Sequence, residues 1–87
     1  MHSSKYAKRV AHRLDSGKVV THVVSKNWDD GEVRCFCSRC ASPYFDFDDT
    51  KIVRADRYQL ILSTCEMCGS TKGYDFVVFY PRSGRAA

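Results

Sequence analysis

The sequence predicts a small, mostly-β domain held together by one metal ion: an antiparallel sheet with a β-hairpin, preceded by a short N-terminal α-helix. Three observations lead there. Cysteines 37, 40, 65 and 68 form two CxxC pairs, CSRC and CEMC, separated by 24 residues (41–64). Several segments are rich in β-branched and aromatic residues and are bounded by Gly, Pro, Asn or Asp. The chain has only 87 residues, and below roughly 70–80 residues a core usually needs a metal or a disulfide. Hydrophobic residues make up 44%, the level of an ordinary globular protein.

The N-terminal segment comes first. Tyr6, Val10 and Leu14 recur every four residues beside Ala7 and Ala11, which predicts an amphipathic helix over 4–14. Ser3 or Ser4 caps its start and Gly17 closes its end. Lys5, Arg9 and Arg13 form a row on another face, with Lys8 alongside. Residues 1–17 are therefore read as a basic helix.

Residues 18–80 are read as the β-rich metal domain. KVVTHVVSK (18–26) is a strand, NWDDG a turn with Gly31 at its tight point, and EVRCFC the returning strand of a hairpin. Ser42-Pro43 interrupts the path. YFDFD then alternates aromatic with acid as a strand does, which puts Asp46 and Asp48 on a solvated face opposite Phe45 and Phe47. IVRADRYQLILST is one long or two short strands leading to the second cysteine pair. GYDFVVFY is the last strand, ended by Pro81. Residues 81–87 are read as a loose basic tail.

The cysteines carry the chemistry. Two residues between paired cysteines let one tight turn aim both sulfurs at a point, and two such turns supply a tetrahedral site. Cys37, Cys40, Cys65 and Cys68 are thus the expected ligands of one structural Zn2+; iron fits the same sulfurs. Cys35 lies outside this set and is expected to be a small buried apolar residue. His2, His12 and His22 have no ligand spacing to a cysteine pair.

CSRC and CEMC with the aromatic strand behind them resemble a zinc ribbon over about residues 37–79. The spacing is similar to the ribbons of transcript-cleavage factors and small RNA-polymerase subunits. In the cleavage factors two adjacent acids reach the polymerase active site. The matching place here reads Arg54-Ala55-Asp56-Arg57, so Asp56 fits the first acid and Arg57 replaces the second. Cleavage stimulation is therefore not carried over. Gly69 follows the second pair as ribbons often have it, whereas Ala41 follows the first.

The charge of +4 is uneven. Residues 1–26 hold six Lys or Arg against one Asp, residues 27–68 five against eight acids, and residues 69–87 three against one. Basic ends around an acidic middle favour an acidic partner. The sequence therefore points to a non-enzymatic protein acting in transcription that contacts nucleic acid, RNA polymerase or both. The candidate contacts are Lys5, Lys8, Arg9, Arg13, Lys18, Trp28, Arg54 and Arg57, with tyrosines 44, 58, 74 and 80 available to stack on bases. The alternative is a protein–protein adaptor, such as a virus-encoded inhibitor or accessory subunit of a larger enzyme. No small-molecule substrate is indicated. Neither a secretory signal nor an apolar run long enough for a bilayer is present, which predicts a cytoplasmic location, or a nuclear one in a eukaryote.

Overall fold

A computed structural model describes residues 7–82. Five strands run in chain order: β1 (Ala7–Arg13), β2 (Val19–Ser25), β3 (Glu32–Phe36), β4 (Lys51–Arg54) and β5 (Tyr74–Phe79). A short helix, α1 (Ser38–Ala41), and a 3-10 helix (Ser42–Asp46) lie between β3 and β4. The mostly-β, antiparallel expectation holds, but the hairpin and the helix are elsewhere than predicted.

Residues 7–13 are a strand, not a helix. A spacing of four residues satisfies a helix ridge and a two-residue strand period equally. The residues in between decide: Lys8, Val10, His12 and Leu14 turn inward while Arg9, Ala11 and Arg13 are exposed. β1 pairs with β2 from Ala7↔Ser25 to Arg13↔Val19. Leu14 N–H to Lys18 O and Gly17 N–H to Leu14 O, both 2.8 Å, close the hairpin. Gly17, at φ 91°, serves this turn instead of a helix end. The strand also spreads the basic row, since residues four apart lie about 13 Å apart in a strand. Residues 1–6, including Lys5 and Tyr6, are outside the described part.

The segment between β2 and β3 is a crossover between sheets instead of a hairpin turn. β3 pairs with β5, and β5 with β4, giving the order β3-β5-β4. Asp29 fixes the crossover: its N–H donates to Tyr80 O at 2.8 Å, and its Oδ1 accepts from Gly31 N at 3.0 Å and Tyr80 N at 2.9 Å. Gly31 has φ 82°, and a Cβ there would sit 2.5 Å from Phe79. Only glycine fits.

β5 is central and covered on both faces, so its side chains divide between two cores. Phe76 and Val78 join Phe36, Cys37, Ala41, Ile52 and Cys65. Val77 and Phe79 join Leu14, Val24 and Ala55 beneath the β1–β2 hairpin. This makes three layers, with hairpin, sheet and cysteine turns in sequence. Burying each large apolar side chain contributes about 1.5–3 kcal/mol.

Two further expectations are corrected. YFDFD is the 3-10 helix and its exit, because Pro43 in its first turn sets a helical φ and directly extends α1. Tyr44 stacks on Phe36 with centroids 5.1 Å apart, and Phe45 and Phe47 are exposed. The one long or two short strands expected over 52–64 reduce to β4, which stops at Arg54. Asp56 then folds a turn, accepting Tyr58 N at 3.0 Å on Oδ1, and leaves Tyr58, Leu60 and Ile61 outside. The start of the expected loose tail is tied down: Arg82 N donates to Asn27 O at 2.7 Å, and Pro81 bridges to Trp28. Residues 83–87 lie outside the described part.

Candidate metal centre

The two CxxC turns come together from opposite sides of the sheet's connectivity. β3 delivers Cys37 to the start of α1, and the approach to β5 carries Cys65 and Cys68. The four Sγ atoms lie within 4.8 Å of one another, with Cys37 and Cys68 3.7 Å apart. A tetrahedral zinc with Zn–S bonds of about 2.3 Å requires sulfurs about 3.8 Å apart. An all-sulfur set at this spacing fits one structural ion such as Zn2+.

The turns close differently, and this explains Ala41. In the first, Ala41 N donates to Cys37 O at 2.9 Å and Ala41 keeps helical angles (φ −76°, ψ −27°), so the chain continues into helix without glycine. Ala41 is also buried in the core. In the second, Gly69 N donates to Cys65 O at 2.9 Å, and Gly69 reverses the chain at φ 81°. The glycine is needed only where the chain turns back.

The cluster is electrostatically prepared for a cation. Burial opposes ionisation of Cys65, yet backbone N–H groups of Cys37, Cys68 and Met67 bring its thiol down to about 6. Hydrogen bonding from the Cys40 backbone likewise lowers Cys37. Cys40 donates to Cys37 and is pushed up to about 12. Cys37 and Cys65 therefore ionise first, and a bound dication displaces the protons that remain.

Sequence reasoning missed the clamp beside the site. Glu66, inside the second CxxC, accepts from Arg34 Nε at 2.8 Å and from Cys35 N at 3.0 Å, while its own N–H donates to Cys35 O at 2.9 Å. The strand residue before the first cysteine pair is thereby locked to the second pair. Cys35 is a free, half-buried thiol outside the four-sulfur group, raised by burial. Its Sγ would be 2.6 Å from a Cβ on Gly73, so that glycine clears the sulfur. An acid inside a CxxC and a glycine eight residues past Cys65 are signals only once the pairing of β3 with β5 is known.

The predicted contact residues separate into two groups. Lys8 is paired with Asp30, and Lys18 with Asp56 at 3.0 Å. Asp56, the residue matched to the ribbon acid, therefore holds a turn and a salt bridge. Trp28 is half-buried against the core beneath the hairpin. Arg9, Arg13, Arg54 and Arg57 form no ion pair among the described residues. Arg9 and Arg13 share the outward face of β1, and Arg54 lies over the Tyr74 ring at 4.2 Å.

The architecture and site define a small β domain whose four clustered cysteines can hold one metal ion. Comparison with family models, curated proteins and solved structures finds no match to the chain. Among the described residues no helix is long and apolar enough to cross a membrane.

Proposed function

We propose that this protein is a non-enzymatic, zinc-ribbon-like binding module that contacts nucleic acid and acts in transcription. The single observation that carries the reading is the set of arginines without carboxylate partners. Two neighbouring lysines are used internally, whereas Arg9 and Arg13 project from β1 beside exposed Val19 and Val23 of β2. Guanidinium groups on a rigid strand face suit phosphates. Two cysteine turns flanking a three-stranded antiparallel sheet support the ribbon comparison, and RNA polymerase is the protein partner which that comparison implies.

The test is binding of the zinc-loaded chain to labelled single-stranded and duplex oligonucleotides over a salt series. Replacing Arg9 and Arg13 together with Gln should make the single-strand salt slope shallower by about 1.4, at about 0.7 per phosphate contact. Zinc content should stay unchanged. A pull-down with and without nuclease then separates polymerase from nucleic acid.

A second reading has its own observation. Tyr58, Leu60 and Ile61 are 81%, 92% and 85% exposed in the loop before the second cysteine pair. Clustered exposed apolar side chains mark protein contacts. Oligonucleotides that fail to bind at any salt would favour this adaptor role.

A further inference from the structure

Beside the free edge of β4 a cavity of about 640 Å³ opens, lined by His22, Phe45, Ile52, Val53, Arg54 and Arg57. It is built by three elements: β2, the 3-10 helix and β4 with its exit. No carboxylate lines it, and both its arginines are free of ion pairs among the described residues. Phe45 stands at its wall 61% exposed, held edge-on by Phe76 at 6.4 Å.

Two polar atoms of this lining are unfinished. Arg54 Nε and His22 Nε2 are buried and have no hydrogen-bond partner. Buried nitrogens normally find a partner, so neither side chain is fully satisfied by the protein itself. Arg54 is also pre-oriented, because its guanidinium rests on Tyr74 at 4.2 Å and so loses little freedom on taking up an anion. Arg54 Nη2 also donates to Asp56 O at 3.4 Å, and an aromatic face next to two guanidinium groups free of ion pairs matches a flat ring joined to an anion.

We infer that this cavity is a one-nucleotide subsite for single-stranded nucleic acid, with the base stacked on Phe45 near His22 and its phosphate on Arg54 and Arg57. The single strand is specified because a paired base cannot offer its face to Phe45. This rests on the nucleic-acid reading above and deepens it: Arg9 and Arg13 supply sequence-independent attraction, and the cavity supplies the preference for unpaired strands.

The experiment uses the zinc-loaded full chain with fluorescein-labelled oligothymidylate and oligouridylate, and with a duplex of equal length. Phe45→Ala should weaken single-strand binding about tenfold and leave duplex binding unchanged. Phe45→Tyr, which keeps a ring, should restore affinity. Arg57→Gln should make the single-strand salt slope shallower by about 0.7. Phe45 and Arg57 are both exposed, so zinc content and circular dichroism should match the parent. Single strands that bind Phe45→Ala and Arg57→Gln as tightly as the parent would overturn the subsite and leave the nucleic-acid reading standing. Oligonucleotides of every kind failing to bind would overturn both.

Discussion

Gly31→Ala tests how the hairpin is fastened to the metal-bearing sheet. The new Cβ would lie 2.5 Å and 2.6 Å from Phe79 ring carbons and 2.9 Å from Val77 Cγ1. Phe79 and Val77 are fully buried, so neither side chain has room to withdraw. Two costs add. A left-handed alanine costs about 1–2 kcal/mol, and overpacking a filled core costs about 1–3 kcal/mol. The sum is large against a domain stability of roughly 5–15 kcal/mol. Gly17→Ala is the control, because Gly17 has a similar φ of 91° with nothing within 4 Å of its Cβ. It should show the backbone cost alone. Urea unfolding of the zinc-loaded variants measures both. With slopes of about 1–3 kcal/mol per molar, Gly31→Ala should unfold about 1 M earlier than Gly17→Ala. Equal midpoints would mean that Gly31 does not press on Phe79, and the packing of crossover on central strand would be wrong.

Four further outcomes follow. Chelation, or Cys65→Ser, should unfold the chain, because zinc contributes about 10–16 kcal/mol in comparable sites; circular dichroism before and after chelation checks this. Zinc affinity should fall as pH drops, and more steeply below about 6, where Cys65 also takes up a proton, since the sulfurs must be deprotonated to bind; release can be followed with a colorimetric chelator. Glu66→Gln removes the charge that accepts from Arg34 and Cys35 and, the pair being partly exposed, should cost about 0.2–1 kcal/mol in urea unfolding with zinc retained. His12 and His22 are 5.9 Å apart against Phe79, and burial is the main cause of both being lowered from 6.5. The unfolded chain therefore binds more protons, and stability should decline as pH falls below 6.5 toward the folded-state values. In His22→Leu that decline should be smaller at matched zinc loading.

The metal ligands were legible because CxxC spacing is a local property: two residues fix where two sulfurs point. The strands at 19–25, 32–36 and 74–79 were legible from β-branched and aromatic runs. What failed was pairing and period. Val10 and Leu14 fit both a helix and a strand, and only the partner strand β2 decided between them. YFDFD alternates as a strand should, but Pro43 and the preceding turn of helix set its backbone first. The acids and glycines that build the site, Asp29, Glu66 and Gly73, act across 31 to 51 residues of chain or between turns. No local pattern announces contacts at that distance.

The placement of the arginines also bears on what the metal does. Four thiolates around a dication carry a formal charge of −2, which repels a polyanion. In this fold Cys37 and Cys65 lie in the core with Phe76 and Val78, with Cys40 half-buried and Cys68 exposed beside them, whereas the hairpin rests on Val77 and Phe79 from the other side of β5. Arg9 and Arg13 point outward from that hairpin. On the proposed reading zinc acts at a distance, by holding the strand on which the binding layer lies. Losing the metal and losing the arginines should then differ in kind. Cys65→Ser should abolish oligonucleotide binding together with near-ultraviolet dichroism, whereas the Arg9 and Arg13 variant should weaken binding with the dichroism intact. A metal-free chain that bound oligonucleotides as tightly as the loaded one, with the same salt slope, would show that the basic hairpin works without the scaffold and would defeat this account.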